Sequence, residues 1–206
     1  MRNKILFLIL ALLQWTIPAQ AADSWQLDGS RSGAQFRVRI VRFCFPLKVC
    51  GSVSGIHGKA EYDGKSLSAF RVSTEADGKA ISTGDSNVDS LLRGQGFLDV
   101  NQFPTIVFQS KSIHQEHSGY KLYGDLTMHG VTRPVVFNLD PPAPVRMDQD
   151  GNLHLAVHAR SKVACSDFGM DGGRLPGATT VRDAIDLTLN VELMKKQRSL
   201  DTASLR

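Results

Sequence analysis

The chain has 206 residues, 42% of them hydrophobic, with 24 Lys and Arg against 20 Asp and Glu. That length suits one domain with tails rather than several domains. The near balance of charge argues against a nucleic-acid binder, which needs a concentrated basic patch to hold phosphates.

The first segment reads MRNKILFLILALLQWTIPAQA. Arg2 and Lys4 precede an apolar run from Ile5 to Leu13, and Pro18 stands before small residues at Ala19 and Ala21. This is the pattern of a secretory signal peptide, residues 1–21, cleaved after Ala21. The run is short for a bilayer span. Residues 22–194 are then expected to form the mature domain, and the polar stretch 195–206 a frayed tail.

Export to an oxidising compartment bears on the three cysteines. Cys44 and Cys50 flank Phe-Pro-Leu-Lys-Val. A hairpin folded about Leu47 would set them opposite each other at a bridgeable spacing, so a Cys44–Cys50 disulfide is expected. A reduced pair or a partner in another chain are the alternatives. Cys165 is left over, as a small buried apolar residue or a free thiol.

Period-two alternation recurs at 34–43, 50–63, 68–77, 105–114, 120–129, 134–140, 152–161 and 181–193. It is clearest where Ile185, Leu187, Leu189, Val191 and Leu193 share one face of a strand, and Asp186, Thr188, Asn190 and Glu192 the other. About eight strands joined by short Gly-, Asp- and Pro-rich turns favour antiparallel neighbours. The stretch 86–97, SNVDSLLRGQGF, reads instead as one short helix with a serine at its start and a glycine after Arg93. An all-β domain must hide its edges. A closed barrel does so completely, and one of eight strands has room for a small ligand. A two-sheet sandwich fits the same pattern.

The order of motifs is more specific than the periodicity. SWQLDGSRS, then AISTGDSNVDSLLRGQGFLDVNQFPTIVFQSKSI, then GYKLYGDLTMHGVTRPVVF, then SDFGMDGG and VRDAIDLTLNVEL together resemble the YceI-like family across the mature chain. The resemblance implies an all-β, antiparallel, eight-stranded lipocalin-like barrel with one short helix near one end. It also implies a periplasmic protein whose elongated apolar channel holds a long-chain lipid, a polyisoprenoid or fatty acid derivative. On this view Thr132-Arg133-Pro134 turns one strand into the next. The chain departs from the family pattern at Arg31, Val88 and Cys165.

On this reading the channel residues are Phe36, Val38, Phe70, Phe97, Phe103, Phe108, Leu122, Leu126, Phe137, Phe168 and Met170, with Arg31 or Arg133 meeting a lipid head group. A chain of methylenes gains about 0.8 kcal/mol for each one moved out of water, so no ionic or catalytic group is required. Neither cofactor nor metal is expected. His154 and His158, four apart in a strand, stand about 13 Å apart and cannot share an ion. The letters Asp167-Phe168-Gly169 lack every accompanying kinase motif, so Ser166–Gly173 reads as a loop at the channel mouth or as a structural turn. The main expectation is a binding protein, not an enzyme. Its rivals are an enzyme acting on a lipid or quinone through Cys165, with His158 the nearest base in sequence, and an adaptor of a membrane redox protein. Beyond the lipid, a membrane-associated protein and a second copy of the chain are the partners open to it.

Overall fold

The computed structural model describes residues 23–42, 45–62, 69–170 and 178–196, without the side chains of 40–42, 45–47 and 178–182. The segment expected to be a signal peptide, the end of the polar tail and Cys44 lie outside the described residues.

Twelve strands make one sheet. They are β1 (Asp23–Leu27), β2 (Gly33–Arg42), β3 (Phe45–Val53), β4 (His57–Tyr62), β5 (Arg71–Asp77), β6 (Ile81–Ser82), β7 (Thr105–Glu116), β8 (Gly119–Met128), β9 (Val131–Leu139), β10 (Arg146–Met147), β11 (Leu153–Ala164) and β12 (Ala178–Lys195), with the helix α1 (Ser86–Arg93) between β6 and β7. All pairings are antiparallel, and β12 closes the ring by pairing with β11 on one edge and with β2, then β1, on the other. β1 with β2, β3 with β4, and β5 with β6 each act as one long bent strand of the wall, since β1 pairs with β4, β2 with β3, and β3 with β6. The result is a closed eight-stranded up-and-down barrel with one short helix at one end. Closure pairs β12 with strands from both ends of the chain, which removes most of the free edge that a sandwich would have kept.

The bends have local causes. Between β1 and β2 the Asp28 carboxylate accepts from the Ser30 amide at 3.0 Å and the Ser30 hydroxyl at 2.6 Å. A side chain on Gly29 would come within 3.1 Å of the Ile56 carbonyl oxygen, so the two bends pack backbone to backbone. At the helix end, His129 (φ 50°) and Gly130 (φ 70°) form the two-residue turn between β8 and β9. Two positive φ values match the right-handed twist of the flanking strands.

Three expectations are corrected. No hairpin forms about Leu47: β3 runs through Pro46 and Leu47 in unbroken register with β2, pairing Arg42 with Phe45 and Arg37 with Cys50. Five residues of extended strand, about 16 Å, separate Phe45 from Cys50. Cys50 is an exposed free thiol. Second, the turn after β8 is confined to His129-Gly130, and Thr132-Arg133-Pro134 lies inside β9 with Pro134 opposite Asp125. A residue without an N–H is tolerated there because β11 meets β9 only at Asn138 and Leu139, leaving the edge beside Pro134 without a ladder partner. Third, α1 ends at Arg93, and Asp85 rather than Ser86 caps it, accepting from the Asn87 and Val88 amides.

Candidate functional site: an apolar channel along the barrel axis

Alternation on every long strand sends one set of side chains inward. From β12 these include Leu187, Leu189 and Leu193, and from β8 Leu122 and Leu126, all part of one continuous apolar core. The core is not solid. Two chambers of about 70 and 100 Å3 lie end to end along the axis. The first is walled by Phe70, Val72, Leu122, Val157 and Val191 among others, and the second, nearer α1, by Phe36, Ala76, Ile106, Leu126, Met128 and Leu187.

Ile56, Thr74, Phe108, Phe137 and Leu189 line both chambers and so form the neck between them. The rings of Phe108 and Phe137 meet edge to face with centroids 5.1 Å apart at 79°. Phe108 lies against Gly124, where a Cβ would stand 2.6 Å from its Cε2 and Cζ. The glycine is therefore part of the neck, because any side chain there would push the ring across the axis. Among the described residues, Thr74 is the only polar side chain on either wall. Such a surface offers a guest desolvation and dispersion, with nothing to polarise or cleave it.

Of the residues picked from the sequence, Phe36, Phe70, Phe108, Leu122, Leu126 and Phe137 line the chambers. Val38 is 5% exposed and two residues on from Phe36, on the same face, without lining either chamber. Phe97, Phe103, Phe168 and Met170 gather instead near the helix end, away from the chamber walls. There the His129 ring stacks edge to face on Phe103 at 5.3 Å, and its Nδ1 lies 3.1 Å from the Phe168 carbonyl oxygen. Ser166–Phe168 forms a single 3-10 turn closed by Gly169 at φ 70°, with Phe168 only 1% exposed, so this part of the motif is a packed structural turn. The described part, up to Met170, lines neither chamber.

The two arginines picked for a head group lie elsewhere. Arg31 is on the outer surface, 3.6 Å from Asp28, and Arg133 is exposed on β9, donating to the Thr132 carbonyl oxygen. Missed from the sequence were the aliphatic lining residues, chiefly Ile56, Val157, Leu187, Leu189 and Val191. The alternation of β12 had already marked Leu187, Leu189 and Val191 as inward-facing. Attention to aromatics passed over them.

The polar and reactive groups stand apart from the channel. Burial, with the Asp183 carboxylate beside it, pushes the Cys165 thiol up to about 11. His158 does not reach it: its Nδ1 lies 2.7 Å from Asn190 Oδ1 on the outer face. Hydrogen bonds from the Ser166 hydroxyl (2.6 Å) and amide (2.7 Å) hold Asp183 below the usual carboxylate range. His154, also outside the barrel, has Nε2 2.9 Å from Asp148 Oδ2. Its Nδ1 is 3.2 Å from Glu192 Oε1 but too oblique to bond. The Asp148 contact braces the β10–β11 hairpin.

Residues 25–193 match the family described as YceI-like domain. The chain belongs to the YceI-like family. Among curated relatives, a UPF0312 protein of Yersinia pestis (strain Pestoides F) is 27% identical over 195 residues, 93% of this chain and 97% of that protein. One from Yersinia enterocolitica is 26% identical over the same shares. Among solved structures, Burkholderia cenocepacia BcnA superposes with a TM-score of 0.65 at 16% identity, covering 81% of this chain and 98% of that one. The Campylobacter jejuni YCEI protein gives 0.64 at 21%, covering 72% and 86%. A polyisoprenoid binding domain from Saccharophagus degradans gives 0.62 at 11%, covering 84% and 98%. At these identities the structural neighbours establish the YceI-like barrel itself.

Proposed function

We propose that this YceI-like protein is an exported, periplasmic binding protein that sequesters or carries a long-chain lipid, a polyisoprenoid or fatty acid derivative, with its tail in the barrel. The observation that carries the reading is the axial pair of chambers whose walls hold, among the described residues, one polar side chain, Thr74. A structural neighbour named as a polyisoprenoid binding domain supports the ligand class, and the basic, apolar, small-residue pattern of residues 1–21 supports export. A membrane-associated donor or acceptor of the lipid belongs to this reading.

The chambers also set the physics of binding. Chambers of about 70 and 100 Å3 are small for a long chain, so the tail enters by moving the neck rings aside. Each methylene moved from water to this wall contributes about 0.8 kcal/mol, from which the cost of shifting side chains and ordering the tail is subtracted. A reaction at Cys165 is poorly supported, since a thiol kept protonated and away from His158 is a weak nucleophile.

The test is organic extraction of protein purified without detergent, followed by mass spectrometry. The expected result is a long-chain lipid approaching one per chain, or its stoichiometric uptake when supplied. Protein that is empty and takes up none overturns the reading.

A further inference from the structure

Outside the barrel, beside the end of β6, lies a groove of about 410 Å3 whose wall includes Arg37, Cys50, Ser52, Thr83 and Thr188. Phe36 lines both this groove and the inner chamber nearer α1, so one half-buried ring separates outside from inside. The ring lies across the backbone of Gly51, where a Cβ would stand 2.3 Å from its Cζ. The wall is open at this place for a topological reason. β6 pairs with β3 only at Ser52 and Val53, and the chain then leaves the sheet through Gly84 at φ 83°. The β3 edge at Cys50 and Gly51 faces the groove with no strand beside it.

The groove wall carries Arg37 and Asp186, and further cations lie beyond it along β2 and β3. Arg37 and Arg39 on β2 and Lys48 on β3 lie on the same outer face, Arg37 opposite Cys50 and Arg39 opposite Lys48. All three are exposed, and none forms an ion pair with a described residue. The one carboxylate on the groove wall, Asp186, sits opposite Arg37 in the β12–β2 register and is engaged by Lys162 at 3.3 Å. Arg37 on the groove wall, with Arg39 and Lys48 next along the same face and none of them paired with a described residue, attracts an anion beside the hydroxyl groups and leaves an apolar chain to the chamber behind Phe36.

We propose that this groove is the mouth of the channel, that Phe36 is its gate, and that the ligand is an amphiphile with an anionic head, carboxylate or phosphate. The head rests against Arg37, Arg39 and Lys48 while the tail passes Phe36. This rests on the lipid-binding reading above.

The test uses the full mature chain and cis-parinaric acid, a fluorescent polyene carboxylate, beside its uncharged methyl ester. Competition by farnesyl phosphate and by farnesol separates phosphate from carboxylate heads. Arg37→Glu with Arg39→Glu and Lys48→Glu, all exposed, is expected to weaken the acid by about tenfold or more and the ester by less than about twofold. Phe36→Ala is expected to raise the loading rate by about tenfold. A bulky maleimide on Cys50, in a Cys44→Ser background, is expected to slow loading to the same degree, and needs no change in the core. The mouth is overturned if acid and ester respond alike to charge reversal, or if the Cys50 adduct loads at the normal rate. If the unaltered protein binds neither probe, the lipid-binding reading itself falls and this proposal with it.

Discussion

Replacing Phe137 with alanine removes the ring that narrows the neck. Phe137 is 2% exposed, lines both chambers and meets Phe108 edge to face at 5.1 Å. A phenylalanine so buried costs about 3–5 kcal/mol to truncate, of which the aromatic pair supplies about 0.5–1.5 kcal/mol. In a chain of this size each kcal/mol lowers the melting temperature by about 2–4 °C, so a fall of about 6–20 °C is expected. The same change fuses the chambers, and that is where function reads it out. For the unaltered protein, affinity along a series of saturated fatty acids rises about fourfold per added carbon, from 0.8 kcal/mol per methylene, until the tail meets the neck. Beyond that length the gain per carbon shrinks, because ring displacement offsets it. In Phe137→Ala the steep part of the series extends to longer chains, and saturating long-chain ligand restores about 2.7 kcal/mol at a hundred times Kd. Thermal melts and calorimetric titration across the series measure both effects. A variant destabilised by less than about 1 kcal/mol, or one whose chain-length profile matches the parent's, refutes the assignment of Phe137 to the neck.

Other predictions concern groups around the channel. Gly124→Ala places a methyl 2.4 Å from the Gln109 carbonyl oxygen and 2.6 Å from the Phe108 ring, so urea denaturation should show a loss of about 1–3 kcal/mol together with reduced lipid capacity. Alkylation at pH 8 followed by peptide mass spectrometry should label exposed Cys50 within minutes and leave buried Cys165 untouched until the protein unfolds. Because burial raises the Cys165 thiol from 9.0 to about 11, the folded state keeps a proton that the unfolded chain has lost. Stability therefore declines as pH rises between those values, and Cys165→Ala should abolish that alkaline slope. Asp148 has the opposite sign. Hydrogen bonds first from Asn152 and then from His154 hold it well below the usual carboxylate range. Its contribution is thus present above the unfolded value of about 4 and is lost as pH falls below it. Asp148→Asn should lower stability at neutral pH and flatten the acid limb, so that variant and parent converge at low pH.

Much of the barrel was legible because burial on one face imposes a period of two. Ile185 to Leu193 announced both a strand and which side of it faces inward, and the short turns announced antiparallel neighbours. Closure was less legible, since a sandwich produces the same alternation, and what decides between them is the pairing of β12 with strands from both ends of the chain. The misplaced hairpin has a plain cause. Pro46 was read as a turn former, yet proline is admissible on a strand edge that has no partner, and β6 reaches only Ser52 and Val53 of β3. The hairpin argument for a Cys44–Cys50 disulfide went with it, and Cys50 is a free thiol. Channel residues were only partly visible: Phe108 and Phe97 look alike in sequence, yet one stands in the neck and the other packs among the residues that follow α1. Phe36 was chosen as lining, but its second role at the groove depends on Gly51, which becomes its neighbour only through the β2–β3 register.

The most direct measurement is photocrosslinking with a lipid that carries a diazirine in its tail, mapped by peptide mass spectrometry after loading and irradiation. Adducts at inward positions on both sides of the neck, such as Val72 and Val157 in one chamber and Ile106 and Leu187 in the other, are the predicted result. Adducts confined to exposed apolar positions such as Tyr123, Val136, Val145 and Met147 would contradict it, because the tail would then lie on the protein rather than within it.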